Sequence, residues 1–258
     1  MKTNNKAFTL IEIAVVISII GILFTMVASS NYLLRDYRLK SIMEDIIKLN
    51  TAFTNFRTIY KALPGDYSLA TSRFSTTQNG ISVQNGNGND YIDNNSNEAV
   101  AALQHLSLAG LIAGEYRGTW IISNNVDVFM ASRFGNSTGY YFGSTTATAG
   151  ATPTVFDDTS ASRYNSLVIF ARIYDSNANG TIASATEAIL PALNPGDMLQ
   201  LDTIYDDGLP RSGSILAANG SGASANSCVN TTTSPNSYAT NSRTLACYFG
   251  VVLDKNAI

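Results

Sequence analysis

From Ile13 to Leu34 the chain carries no charged residue, and this segment holds the dense apolar run IAVVISIIGILFTMV. As a helix rising about 1.5 Å per residue, its roughly 22 residues span about 33 Å, enough for a hydrocarbon core of about 30 Å and long for a buried helix of a globular domain. The rest of the 258 residues leaves ample chain for a core. Only 14% of residues are charged, well below the usual quarter, and Ser, Thr, Asn and Gly take their place. A net charge of -3 gives no electrostatic footprint for nucleic acid or anionic lipid. One histidine and two cysteines exclude most zinc sites and, with them, much enzyme chemistry.

Ahead of the apolar run stands MKTNNKA, short and polar, then FTLIE. A secretory signal peptide would place small residues for cleavage after the apolar run, where Ala28-Ser29-Ser30 is only a loose version of that pattern. The charges flanking the run, Lys2 and Lys6 against Arg35, Arg38 and Lys40, do not orient it. Glu12 stands out because an ionised carboxylate in an apolar helix is expensive in a bilayer and calls for a partner; an acid snorkelling at the membrane edge is the plainer account.

Taken together, KAFTLIEIAVVISIIGIL resembles the leader junction of type IV pilins and type II secretion pseudopilins. The resemblance implies cleavage by prepilin peptidase between Ala7 and Phe8, N-methylation of Phe8, and retention of the apolar segment in the mature protein. It also implies that Glu12 pairs with the Phe8 amine of a neighbouring subunit during filament assembly. Tip-capping pseudopilins typically lack this acid, so its presence favours a subunit of the filament body.

Beyond Leu34 the pattern turns amphipathic. Leu39, Ile42, Ile46, Leu49, Phe53, Phe56, Tyr60 and Leu63 recur three and four apart, which predicts a helical stripe continuing the apolar helix to about Tyr60. The spacing also suits a coiled coil, although Phe53, Phe56 and Tyr60 are bulky for such a seam. Leu63-Pro64-Gly65-Asp66 stops the helix in a turn. The pattern then predicts a helix over Ser96 to Ala113, with Asn95 and Glu98 as a capping box, and strands at Thr119 to Ser123, Val126 to Phe134, Tyr140 to Phe142 and Ser166 to Tyr174. A helix opened by Asn194-Pro195, and a final strand over Leu245 to Leu253, follow. Gly143 to Ser162 and Arg211 to Ser242 read as surface loops or disordered segments.

Cys228 and Cys247 close a segment that a bridge would restrict by about 3 kcal/mol in the loop-entropy model. The resemblance implies that disulfide, since pilins often tie their C-terminal region to the sheet this way; two free thiols are the alternative. Asp175, Asn177, Asn179 and the Thr181 carbonyl follow the opening of an oxygen-rich calcium loop with Gly180 at its sharp turn, but Thr186 stands at the twelfth position. Asn85 to Asp93 is a poorer copy, and plain Asx-Gly turns are the alternative for both. Asp202, Asp206 and Asp207 read as solvated acids at a helix end. Gly135-Asn136-Ser137-Thr138-Gly139 has the form of a nucleophile elbow, yet the one histidine, His105, precedes it where a hydrolase needs it to follow. His105 itself is expected on a helix surface or at a hydrogen-bonded boundary. The sequons at Asn136, Asn219 and Asn230 are attributed to composition.

The expectation is therefore an α+β, pilin-like fold, a long N-terminal helix packed on an antiparallel sheet, and not an enzyme. Its parts are a leader (1-7), a membrane and filament-core helix (8-35), the amphipathic half of that helix (36-63) and a head in the periplasm or outside the cell (64-258). Expected partners are identical or homologous pilin subunits, prepilin peptidase and an inner-membrane assembly platform. No cofactor is required, with calcium as the candidate ion. The rival from another class is a membrane-tethered calcium-dependent adhesin or receptor module.

Overall fold

A computed structural model describes residues 9-74, 77-78, 81-93, 96-119, 128-135, 138-144, 166-172, 190-220, 222-232 and 235-253; the side chains of 27-32, 77-78, 81 and 167 also lie outside the description. Helix α1 (Leu10–Tyr60, 51 residues) opens the chain and is about 77 Å long. Thr9 caps it, and Lys61, in the left-handed region at φ 55°, ends it by donating its N–H to the Arg57 carbonyl. Pro64 then prevents any continuation.

The two halves of α1 differ in what surrounds them. From Leu10 to Met26 every residue is exposed, Leu10 by 89% and Phe24 by 77%. Among the described residues no helix is long and apolar enough to cross a membrane; the run defined by the sequence continues through residues 27-32, outside the described side chains. In the second half Leu39, Ile42, Ile46, Leu49, Phe53 and Phe56 are buried, each large side chain contributing about 1.5–3 kcal/mol against exposure. The predicted stripe is the face that packs on the head.

That face meets an antiparallel sheet. The head's elements are α2 (Ala70–Phe74), β1 (Thr77–Gln78), β2 (Ile81–Ser82), α3 (Glu98–Leu108), β3 (Met130–Ala131), β4 (Thr138–Gly143), β5 (Leu167–Arg172), α4 (Pro195–Tyr205), β6 (Ile215–Asn219), β7 (Val229–Asn230), β8 (Ser237–Tyr238) and β9 (Cys247–Val252). The central sheet runs β3-β4-β5-β9-β6, so the last strand is inserted between β5 and β6. Register places Tyr140, Phe170 and Phe249 side by side, with ring centroids 5.4 and 5.3 Å apart. Phe142, two residues on and so on the same face, stacks on Phe53 of α1 at 5.8 Å. On the opposite face Tyr141 and Tyr248 are also buried, and Phe129 covers Tyr141 edge-on at 5.6 Å.

Several expectations change. The stretch from Arg211 to Ser242 is only in part surface loop: it supplies β6, buried from Ile215 to Ala218, and the short β7-β8 pair, while the described residues between and after them are mostly turns with exposed side chains. Ile-Leu-Ala-Ala has no polar alternation because both of its faces are covered, so its period-two signal is absent. Helix α3 begins at Glu98 and ends at Leu108, and its N-cap Asn97 makes no side-chain capping bond. Glu98 instead turns its carboxylate toward the preceding loop. Of Val126 to Phe134 only Met130–Ala131 is strand among the described residues. Thr119 lies in no strand, and the rest of Thr119 to Ser123 is outside the description.

Candidate functional site

At the start of α1 a compact constellation surrounds Glu12. Thr9, extended at φ -78° and ψ 151°, donates both its N–H and its hydroxyl to Glu12 Oε2 at 2.8 Å, while its Oγ1 accepts the Glu12 N–H at 3.4 Å. This is a capping box: the acid at the third helical position satisfies the donors at the helix start and faces the positive end of the macrodipole. Both side-chain bonds fall on Oε2, and Oε1 has no partner among the described residues. Glu12 is also the sole charged residue between Lys6 and Arg35, flanked by Ile11 at 72% exposure and Ile13 at 51%. The arrangement can therefore present one carboxylate at the end of an apolar rod to a cation from another molecule. Ala7 and Phe8, the expected processing and methylation positions, lie outside the described residues.

Polar clamps fix the head against the other half of the rod. Arg133, in the β3-β4 connection, donates to Asp45 Oδ1 at 2.8 Å, Glu44 Oε2 at 3.0 Å and the Ser41 carbonyl at 3.4 Å. These bonds raise the Arg133 pKa, hydrogen bonding to Asp45 first. Nearer the apolar half, Arg35 pairs with Asp197 and Gln200 donates to Asp36 at 2.7 Å. Sequence reasoning missed Arg133. The signal was Asp45, an acid on the buried side of the apolar stripe, which requires a cation from elsewhere in the fold.

At the far end, the Leu63-to-Asp66 turn is held from three sides. Asp66, almost fully buried, accepts N–H bonds from Gly88, Asn89 and Asp90 at 2.6, 3.1 and 2.8 Å. Glu98 accepts from Asn87 and Asp93 at 2.9 and 3.0 Å. Burial raises the pKa of both acids, against the lowering effect of these bonds. The candidate loop from Asn85 to Asp93 is thus wrapped around two carboxylates. His105 is fully buried among Phe56, Tyr67 and Phe74; its Nδ1 accepts the Gly65 N–H at 2.9 Å and its Nε2 lies 2.7 Å from the Gln84 carbonyl. The ring is therefore neutral with the proton on Nε2, and burial lowers its pKa to about 4. It is neither on a surface nor beside a described serine nucleophile, Ser137 being outside the description.

Of the three acids at the end of α4, Asp202 departs from the expectation of a solvated carboxylate, whereas Asp207 is exposed. Asp202 is fully buried and accepts the Tyr238 hydroxyl at 2.6 Å, and burial pushes its pKa up to about 7. Asp206 takes the N–H groups of Ser214 and Ile215, and Asp207 takes the Leu209 N–H and the Ser212 hydroxyl. Their oxygens lie within 4.8 Å of one another; Asp202 is buried, Asp206 half-buried and Asp207 exposed, and Asp206 ties the end of α4 to the start of β6. Cys228 and Cys247 form a disulfide, both fully buried, joining β9 to the segment before β7. Asn219 spends its side-chain oxygen on the Cys228 and Val229 N–H groups in support of the same joint. The calcium-loop residues Asp175, Asn177, Asn179 and Thr181 lie outside the described residues.

No curated protein and no solved structure matches the chain. Residues 2–28 match the model of the prokaryotic N-terminal methylation motif, and the chain thus carries the signature of type IV pilins and pseudopilins, the mark of a structural subunit processed by prepilin peptidase.

Proposed function

We propose that this protein is a body subunit of a type IV pilus-like filament or a type II secretion pseudopilus. The observation that carries the reading is the coincidence of the methylation motif with a helix whose exposed apolar half bears one charge, Glu12, at its start. On this reading residues 1-7 are a leader removed between Ala7 and Phe8, and Phe8 is N-methylated. Residues 8-35 anchor the subunit as a single pass in the inner membrane, with the head (64-258) in the periplasm. Assembly by the inner-membrane platform then moves this segment from lipid into the filament core, where Glu12 exchanges its own Thr9 for the Phe8 amine of a neighbour. That exchange satisfies two charges that would each be costly alone in an apolar core.

The test is the intact mass and N-terminal peptide of the protein recovered from its native membrane. A chain beginning at N-methylated Phe8 is expected. Persistence of residues 1 to 7, or cleavage near Ser30, overturns the filament reading in favour of a tethered or secreted binding module.

A further inference from the structure

Exposed apolar side chains gather at one place on the head. Among its described residues the large hydrophobics open to solvent are Leu69, Ile204, Tyr205, Leu209 and Leu245; Leu69 and Leu245 stand singly, while the other three follow one another closely at the end of α4. A lone exposed hydrophobic is ordinary, but a group of them marks a contact. Two polar links fix where this group lies. Asp197 pairs with Arg35 and Gln200 donates to Asp36 at 2.7 Å, and Arg35 and Asp36 are the residues that directly follow the apolar run. Ile204 comes four residues after Gln200, on the same face of α4 and about 6 Å further along it. The end of α4 is thereby held near the level at which the run stops.

That level is where a bilayer places its headgroups. The run from Ile13 to Leu34 spans about 33 Å against about 30 Å of hydrocarbon, which leaves little freedom in where the membrane surface cuts α1, and headgroups add about 5–7 Å on each side. Tyr37, Arg38 and Lys40 follow within about 9 Å of rise. All three are exposed, and the two cations have no ion-pair partner among the described residues. The acids at this level are engaged inside the protein: Asp36 by Gln200, Asp197 by Arg35, and Asp207 by the Leu209 N–H and the Ser212 hydroxyl. We infer that Ile204, Tyr205 and Leu209, with Tyr37, Arg38 and Lys40, form a second membrane contact, a seat on an anionic phospholipid leaflet that holds the head against the bilayer before assembly; the inference rests on the single-pass anchor of the reading above. Ile204 and Leu209 enter the boundary between headgroups and acyl chains, and the tyrosines lay their rings there with the hydroxyls toward water. Arg38 and Lys40 reach the lipid phosphates. Assembly into a filament then has to lift the head off this seat as well as draw α1 out of the lipid.

The experiment uses the full-length chain from its native membrane, reconstituted into vesicles of phosphatidylethanolamine and phosphatidylglycerol, where no assembly machinery acts. Because Cys228 and Cys247 are bonded to each other, an added cysteine takes a single nitroxide. Three labelled chains are compared: Thr203→Cys beside the patch, Leu69→Cys past the far end of α1, and Ile20→Cys within the apolar run. A water-soluble relaxation agent is expected to reach position 203 severalfold less than position 69, and position 20 least. Equal access at 203 and 69, with 20 in hydrocarbon, overturns the inference and leaves the single-pass anchor standing; a label at 20 that stays in water overturns that anchor itself. Shielding of 203 in assembled filaments but not in vesicles assigns the patch to a neighbouring subunit and likewise overturns the seat. Ile204→Ser with Leu209→Ser, two exposed positions, is expected to return the label at 203 to water with the head's melting unchanged; a label still shielded in that variant contradicts the role of these side chains. Replacing phosphatidylglycerol by phosphatidylcholine is expected to raise water access at 203, and equal access in both lipids removes Arg38 and Lys40 from the seat.

Discussion

Replacing His105 isolates the joint between the Leu63-to-Asp66 turn and α3. At neutral pH, His105→Leu removes the acceptor for the Gly65 N–H and the donor to the Gln84 carbonyl. Two buried polar groups left without partners cost about 2–4 kcal/mol together. The wild-type imidazole has its own pH dependence. Its folded-state pKa is depressed from 6.5 to about 4 by burial, so protons bind more readily to the unfolded chain. The stability it supplies is present above pH 6.5 and lost as pH falls through about 4, amounting to about 3 kcal/mol at 1.36 kcal/mol per pH unit. Asp66 and Glu98, with pKa values raised by burial, act in the opposite sense, but they are common to both proteins and drop out of the difference. Urea unfolding of wild type and variant at pH 7.5, 5.5 and 4 is the assay. The variant should be about 2–4 kcal/mol less stable at pH 7.5, and the gap should close toward zero at pH 4. A gap that stays constant with pH would refute the reasoning, because it would mean that the ring does not sit neutral between those two partners.

Three further outcomes follow from the geometry, and a fourth from the sequence alone. Removing the disulfide by Cys228→Ala with Cys247→Ala should destabilise the head by about 3 kcal/mol, read from denaturant midpoints under oxidising conditions; agreement with wild type would mean the bridge constrains little. Arg133→Lys should lower the melting temperature nearly as much as Arg133→Ala, because only the guanidinium fork reaches Asp45, Glu44 and the Ser41 carbonyl together; full rescue by lysine would reduce the contact to simple charge. Asp202 has a folded pKa raised to about 7, so its contribution is fully present below about pH 4 and lost as pH rises through 7. Asp202→Asn should therefore flatten the stability profile between pH 4 and 8, and an unchanged slope there counts against the buried carboxylate. For the loop beginning at Asp175, chelation with EDTA should lower the melting temperature if calcium is bound, and an unmoved transition removes calcium from that loop.

Much of the long helix was legible in the sequence because its signals are local. An uncharged apolar run, a stripe at three-and-four spacing and a Pro-Gly turn each report the environment of one continuous element, and α1 keeps all three. Asn194 with Pro195 was readable for the same reason: the side-chain oxygen accepts the Asp197 N–H at 2.8 Å within one turn. Glu98 misled for an equally local reason, since an acid three residues after Asn95 reads as the partner in a capping box, yet α3 starts at Glu98 itself and its carboxylate is a buried anchor. Which it becomes depends on whether the loop from Asn87 to Asp93 folds within reach.

The sequence by itself determined the parts whose physics is one-dimensional: the processing motif, the solitary Glu12, the length of the apolar rod and the stripe that must be covered. Only the tertiary structure decided which partners meet across long separations. It placed β9 between β5 and β6, turned the Ile215 run into a buried strand, gave Asp45 its Arg133 and Asp202 its Tyr238, and set His105 against Gly65. Those pairings depend on sheet order and on which faces are withdrawn from water, and neither is encoded in the periodicity of any single segment.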